Sequence, residues 1–438
     1  MERNALQQLI AWKNRPNHKP LIIRGARQTG KTWLMNYFGR TCFENSVYIS
    51  FDANTRTAGI FDPDLNPRRI IGELEVLYQT TIKPENTLLI FDEVQEFPLA
   101  LKSLKYFNEE APEYQIVCAG SLLGIALHPG ASFPVGKVEF MNLYPLSFCE
   151  FLLALGQEKC VRLLEEGEPG RLVLFKHEYL DMLKKYFFVG GMPEAVSVFA
   201  ETGDFEAARR VQRSIIDMYD HDFSKHAPGV QVPKIRMLWN HIPYQLAKEN
   251  KKFVFGNVSK NARSRDFESA MLWILDTGIA HRVNRIHEVR HPLKVYEDSS
   301  AFKLYIGDIG LLSCMSGLEK DVLFEGDRLF VEFKGALAEQ FVLQELIALQ
   351  PFYWSNDNGR AEVDFLIQAG RNIVPIEVKP GINLRAKSLQ VYIDKFNPAI
   401  AVRTSPADYH AGERIVDLPL YALSLLPGVV EKYKIENC

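Results

Sequence analysis

The stretch that most constrains this chain runs from Leu21 to Phe38. Three apolar residues, Leu21-Ile22-Ile23, lead into Gly25-Ala26-Arg27-Gln28-Thr29-Gly30-Lys31-Thr32, and a helical segment, Thr32 to Phe38, follows directly. The octapeptide fits G-x-x-x-x-G-K-[ST]. Its glycines permit a tight loop whose backbone N–H groups turn inward, and those groups together with the helix N-terminus cradle anionic phosphates. On this reading Lys31 reaches the β- and γ-phosphates of a nucleotide and the Thr32 hydroxyl ligates Mg²⁺. Gly25 to Thr32, with Trp33 beside them, form the expected ATP-binding set.

The same region predicts further buried strands at Val47–Phe51, Thr87–Phe91 and Gln115–Ala119, with helical segments between them. Continuous apolar strands alternating with helices indicate a parallel sheet covered on both faces, an α/β architecture. The third strand ends in Asp92-Glu93. Asp92 is expected to hold Mg²⁺ through water and Glu93 to polarise the attacking water. Ser121 closes the fourth strand, where it serves either as a γ-phosphate sensor or as the N-cap of the next helix.

A length of 438 residues implies two or three domains. The net charge of −3 gives no global field toward nucleic acid or membrane, so any such contact has to be local. The six cysteines are scattered without a C-x-x-C pair, as in a reduced, cytoplasmic protein. No run approaches the ~18 apolar residues that span a bilayer, so no membrane partner is expected.

From Pro233 to Arg265 eight Lys/Arg (Lys234, Arg236, Lys248, Lys251, Lys252, Lys260, Arg263, Arg265) face one acid, Glu249, a local charge of +7. The helical segment Asn261–Gly278 and the strand Ile279–Ile286 complete a helix–helix–strand order that resembles a winged helix. This basic segment reads either as a DNA contact or as a solvated, partner-facing surface. Asp220-His221-Asp222 with His226 reads as a solvated polar stretch, not a metal set.

Near the C-terminus, Glu362-Val363-Asp364-Phe365-Leu366-Ile367 alternates strictly, and Glu377-Val378-Lys379 ends the next strand. Period-two geometry puts Asp364, Glu377 and Lys379 opposite the apolar face. Two carboxylates there can hold Mg²⁺ with a lysine beside them; the alternative is a hairpin with a salt-bridged outer face.

Several of these motifs, taken in order, resemble a family of prokaryotic AAA-type ATPases close to the STAND signalling group. They are Gly25–Thr32, Phe91-Asp92-Glu93, Ala119-Gly120-Ser121, Leu143-Tyr144-Pro145-Leu146-Ser147-Phe148, Gly190-Gly191-Met192-Pro193 and Gly307-Asp308-Ile309-Gly310. The C-terminal strands resemble the PD-(D/E)xK nuclease core, with Glu339 matching that core's extra acid. Where relatives carry glycine-arginine ahead of the Leu-Tyr-Pro motif, this chain has Gly136-Lys137.

The resemblance implies a P-loop ATPase domain over residues 1–185. A helical, winged-helix-like lid follows over 186–295, and an α/β restriction-endonuclease-like domain over 296–438. The expected activity is Mg²⁺-dependent ATP hydrolysis through Lys31, Thr32, Asp92 and Glu93, acting as a switch on a nuclease-like effector with Asp364, Glu377 and Lys379. Cleavage of DNA or RNA, and a non-catalytic sensor or scaffold that binds protein partners or copies of itself, stand as alternatives.

Overall fold

The apolar run at Leu21–Arg24 becomes β1, and the P-loop segment passes straight from it into α2 (Lys31–Cys42), with α1 (Ala5–Asn14) ahead of both. The computed structural model describes residues 2–51, 55–120, 134–260, 262–325, 331–356 and 359–435. The remaining strands of this part are β2 (Asn45–Ser50), β3 (Thr87–Asp92), β4 (Gln115–Ala119) and β5 (Glu139–Asn142). All pair in parallel, in the order β2-β3-β4-β1-β5. Side chains alternate across the pleat, so each face buries its own cluster. One face packs Ile23, Leu88 and Val117 with Leu34 and Phe38 of α2. The other packs Ile22, Leu89 and Ile116 beneath α3 (Thr55–Phe61), α4 (Pro67–Tyr78) and α5 (Pro98–Glu110). Every residue of β3 is buried.

Two compact units result: residues 1–144 with 276–279, and residues 145–275 with 280–438. This division differs from the three expected domains. Residues 145–185 group with the second unit, and the expected middle and C-terminal domains do not separate, because one sheet runs through both.

That sheet has eight strands: β6 (Ala280–Ile286), β7 (Glu297–Ile306), β8 (Phe352–Ser355), β9 (Glu362–Ala369), β10 (Asn372–Val378), β11 (Ala401–Ser405), β12 (His410–Ala411) and β13 (Ile415–Pro419). Their order is β12-β13-β11-β10-β9-β8-β6-β7. The helix Val331–Leu346 precedes β8; β8, β9 and β10 pair antiparallel; the helix Lys387–Phe396 then crosses over so that β11 pairs with β10 in parallel. The two C-terminal strands expected from the alternation are β9 and β10. The winged-helix expectation fares differently. Helices Val232–Leu246, Phe255–Val258 and Ser264–Asp276 lead to an antiparallel β6–β7 pair, but β6 also pairs with β8, so these strands edge the large sheet and form no separate wing.

Two glycine motifs meet inside the second unit. Asp308, fully buried, accepts hydrogen bonds from the Gly191 amide at 2.6 Å and the Leu311 amide at 3.0 Å. Gly190 has φ +74°, and a Cβ there would lie 2.3 Å from Asp308 Oδ1 and 2.6 Å from the Gly310 nitrogen. Only glycine supplies both the left-handed conformation and the empty volume.

Candidate functional site

The phosphate loop springs from the C-terminal end of β1, and Asp92 stands at the C-terminal end of β3, with β4 between them. Ligands of open α/β sheets bind at such strand ends. Gly25 has φ +152°, and a Cβ on it would sit 2.2 Å from the Leu143 carbonyl oxygen, so this position demands glycine. Gly30, at φ +88°, turns the chain into α2. Thr29 Oγ1 donates to the Ala26 carbonyl at 2.8 Å and braces the loop from within. Arg3 clamps it from outside, donating to the Thr29 carbonyl at 3.1 Å and to the Tyr144 carbonyl at 2.6 Å. The turn at 276–279 belongs to this unit; a Cβ on Gly278 would lie 3.3 Å from the Ala26 nitrogen.

Lys31 is buried, and its Nζ donates to the Gly25 and Ala26 carbonyls at 2.9 and 2.8 Å. Burial pushes its ammonium down to about 8, against the pull of Glu93 and Asp92. Thr32 Oγ1 donates to Asp92 Oδ2 at 2.7 Å, so the loop hydroxyl and the strand-end carboxylate meet although sixty positions separate them. Tyr48 Oη donates to the same oxygen at 2.8 Å. Hydroxyl and carboxylate oxygens brought together are donors suited to a hard divalent cation. Glu93 adopts φ +50°, and its carboxylate accepts from Gln95 Nε2.

Trp33 lies half-exposed on α2 and stacks on Tyr37, ring centroids 4.9 Å apart. Arg24 stacks over the Phe140 ring at 3.3 Å. Lys137 pairs with Glu109 at 2.8 Å. Ser121 lies outside the described residues. Sequence reasoning missed Arg3, Tyr48 and Gln95. Of these only Tyr48 left a signal, a polar tip inside a predicted buried strand.

In the second unit β9 and β10 bring Asp364 and Glu377 to neighbouring strands, as the hairpin register predicts, with Phe365 paired to Ile376. The expected exposed face is in fact enclosed: Glu377 is buried, and the Asp364 side chain keeps only 15% exposure. The helix Val331–Leu346 covers these strands and lowers Glu339 into the same group. Asp364 Oδ2 accepts from the Val378 amide at 2.8 Å, and Lys379 pairs with Glu377 at 2.7 Å.

Two lysines from outside the hairpin join them. Lys303 of β7 is fully buried, with Nζ 2.7 Å from Glu362, 3.5 Å from Glu339 and 3.7 Å from Asp364. Lys251 pairs with the other Glu339 oxygen, and Tyr305 Oη donates to Glu339 at 3.1 Å. Burial would raise the Glu339 carboxyl, but Lys251 and Lys303 outweigh it and hold it at about 2. Asp364 is pushed well above the usual carboxylate range, first by burial and then by repulsion from Glu339 and Glu377.

The expected Mg²⁺ pair, Asp364 with Glu377, therefore sits in a cluster of four carboxylates and three lysines, in which Glu377 Oε2 is buried without a hydrogen-bond partner. Among the described residues no group of three or more His, Cys, Asp or Glu is placed to hold a metal. Asp220 likewise holds Arg236 through two 2.7 Å bonds.

Residues 17–152 match a family described as an AAA domain, residues 180–322 a domain of unknown function (DUF8612), and residues 334–423 another (DUF4143). No curated protein matches the chain. The solved structures to which it is remotely similar include the following three. The Walker-type ATPase of Pyrococcus abyssi is 12% identical over 72% of this chain and 95% of that one, with a TM-score of 0.45. Cdc6p of Pyrobaculum aerophilum is 14% identical over 73% and 94%, TM-score 0.25. Drosophila ORC bound to DNA is 14% identical over 72% and 95%, TM-score 0.30. The parallel sheet and the loop give the first unit a P-loop architecture, and the AAA-domain match over residues 17–152 supports a P-loop ATPase there. No helix among the described residues is long and apolar enough to cross a membrane.

Proposed function

We propose that this chain binds and hydrolyses ATP with Mg²⁺ and uses the nucleotide state as a switch on its second unit. The observation that carries the reading is the 2.7 Å bond between Thr32 and Asp92 beside the buried Lys31. The loop amides bind the phosphates. Lys31 leaves the Gly25 and Ala26 carbonyls for the γ-phosphate, trading two neutral acceptors for an anionic one. Thr32 and Asp92 hold the metal, with Tyr48 fixing the Asp92 carboxylate. Bound Mg²⁺ neutralises charge on the β- and γ-phosphates. Glu93 orients the attacking water and takes its proton, and Gln95 fixes that carboxylate.

Phosphate release from ATP tests the assignment. Lys31→Ala is expected to lose nucleotide affinity. Glu93→Gln is expected to retain ATP while turnover falls about 10²–10⁴-fold, the usual worth of a positioned general base. Wild-type turnover in Glu93→Gln refutes the role given to Glu93.

A further inference from the structure

Four carboxylates, Glu339, Glu362, Asp364 and Glu377, and three ammonium groups, Lys251, Lys303 and Lys379, converge in the second unit. The helix Val331–Leu346 and the β9–β10 hairpin supply all four acids, and Lys379 follows β10 directly. Lys303 and Lys251 come from other segments of the unit. Lys303 is the hub: it has no exposure, and three of the four acids lie within 3.7 Å of its Nζ. Its Nζ also lies over the Tyr353 ring, 5.2 Å from the centroid.

We infer that Lys303 is a built-in cation that takes the place of a divalent metal in this nuclease-like cluster, so that the second unit binds no metal there and does not cleave phosphodiesters. Three physical arguments lead to this. First, a divalent ion bound by Asp364 together with Glu339 or Glu362 would lie within a few ångströms of the Lys303 ammonium, and like charges in a poorly hydrated interior repel strongly. Second, withdrawing the lysine carries a cost, because it takes the ammonium away from Glu362 and from the largely buried Asp364, while Glu339 keeps Lys251. Third, an ammonium cannot do the metal's work. It has no open coordination position, does not acidify a bound water and does not polarise a phosphoryl oxygen as a Lewis acid. Lys251 closes the arrangement by taking the remaining Glu339 oxygen. The inference does not depend on ATP hydrolysis, which belongs to the first unit.

Mn²⁺ binding to the full chain without nucleotide, followed by electron paramagnetic resonance, tests it. Asp92→Asn and Asp364→Asn separate the two units' contributions. We expect no bound Mn²⁺ in wild type that Asp364→Asn removes, and no cleavage of single- or double-stranded DNA or RNA that depends on Asp364. Lys303→Ala is expected to lower the melting temperature on the order of 10 °C, the scale for a broken buried pair. It should also gain Mn²⁺ binding, with partial recovery of the melting temperature, because the acids then face vacated space. Wild-type Mn²⁺ binding or nucleic-acid cleavage that Asp364→Asn abolishes overturns the inference, as does a folded Lys303→Ala chain with unchanged melting temperature. If Lys303→Ala does not fold, the comparison of wild type with Asp364→Asn decides alone.

Discussion

The buried lysine of the phosphate loop makes nucleotide affinity depend on pH. Lys31 Nζ is enclosed with two carbonyl acceptors, and burial lowers its ammonium to about 8 from the ordinary 10.5. The charged form binds the γ-phosphate, so affinity falls as pH rises through 8. At pH 7 about nine-tenths of the protein carries the charge and at pH 9 about one-tenth, so Kd for ATP should rise roughly tenfold, about 1.4 kcal/mol. The sign for folding is opposite. The native state holds fewer protons than the unfolded chain between pH 8 and 10.5, so this group adds stability as pH rises through that window. Isothermal titration of ATP at several pH values between 7 and 9.5 reads the effect. Lys31→Arg serves as control, since a guanidinium does not titrate there and its affinity should stay flat. A wild-type Kd constant across the range would refute the reasoning.

Two further outcomes follow from the second unit. Gly190→Ala places a methyl against Asp308 Oδ1 and the Gly310 backbone at positive φ; urea unfolding should show a loss of about 3 kcal/mol, combining left-handed strain with overpacking, and an unchanged midpoint would contradict it. In the basic segment, Lys252, Arg263 and Arg265 are exposed whereas Lys251 is bound to Glu339. If the segment meets DNA, removing the exposed three should flatten the salt dependence by about one slope unit per lost phosphate contact, while Lys251→Ala should chiefly lower the melting temperature; equal salt slopes in wild type and the triple variant would leave this surface to a different partner.

Legibility followed sequence distance. The phosphate loop occupies eight consecutive residues, and its glycines announce a backbone that other residues cannot adopt, so Gly25 and Lys31 were readable directly. The Asp364, Glu377 and Lys379 arrangement was readable because period-two alternation fixes which side chains share a face. Burial of that face was not, since the covering helix Val331–Leu346 bears no local mark of which hairpin it meets. The contact of Gly190-Gly191 with Asp308 joins residues more than a hundred positions apart. Each motif stood out alone, and nothing in either named the other.

The charge pattern shows where counting residues misleads. Eight basic residues in one segment suggested a surface field, yet Arg236 is committed to Asp220 and Lys251 to Glu339, and Lys248 lies over the Tyr244 ring. The acid-rich hairpin suggested an exposed metal site, yet Lys303 and Lys251 meet it inside the protein. Both misreadings have one physical origin. A charge is buried only when its partner comes with it, so the acids of β9 and β10 and the lysines far from them in sequence are one structural element. Such a cluster adds little net stability over an apolar core, because desolvation offsets the attraction, but it penalises every packing that separates the partners. That penalty fixes where β7, the 251 region and the helix Val331–Leu346 lie within the second unit, and it explains why the unit is continuous across the boundary that the sequence suggested near residue 295.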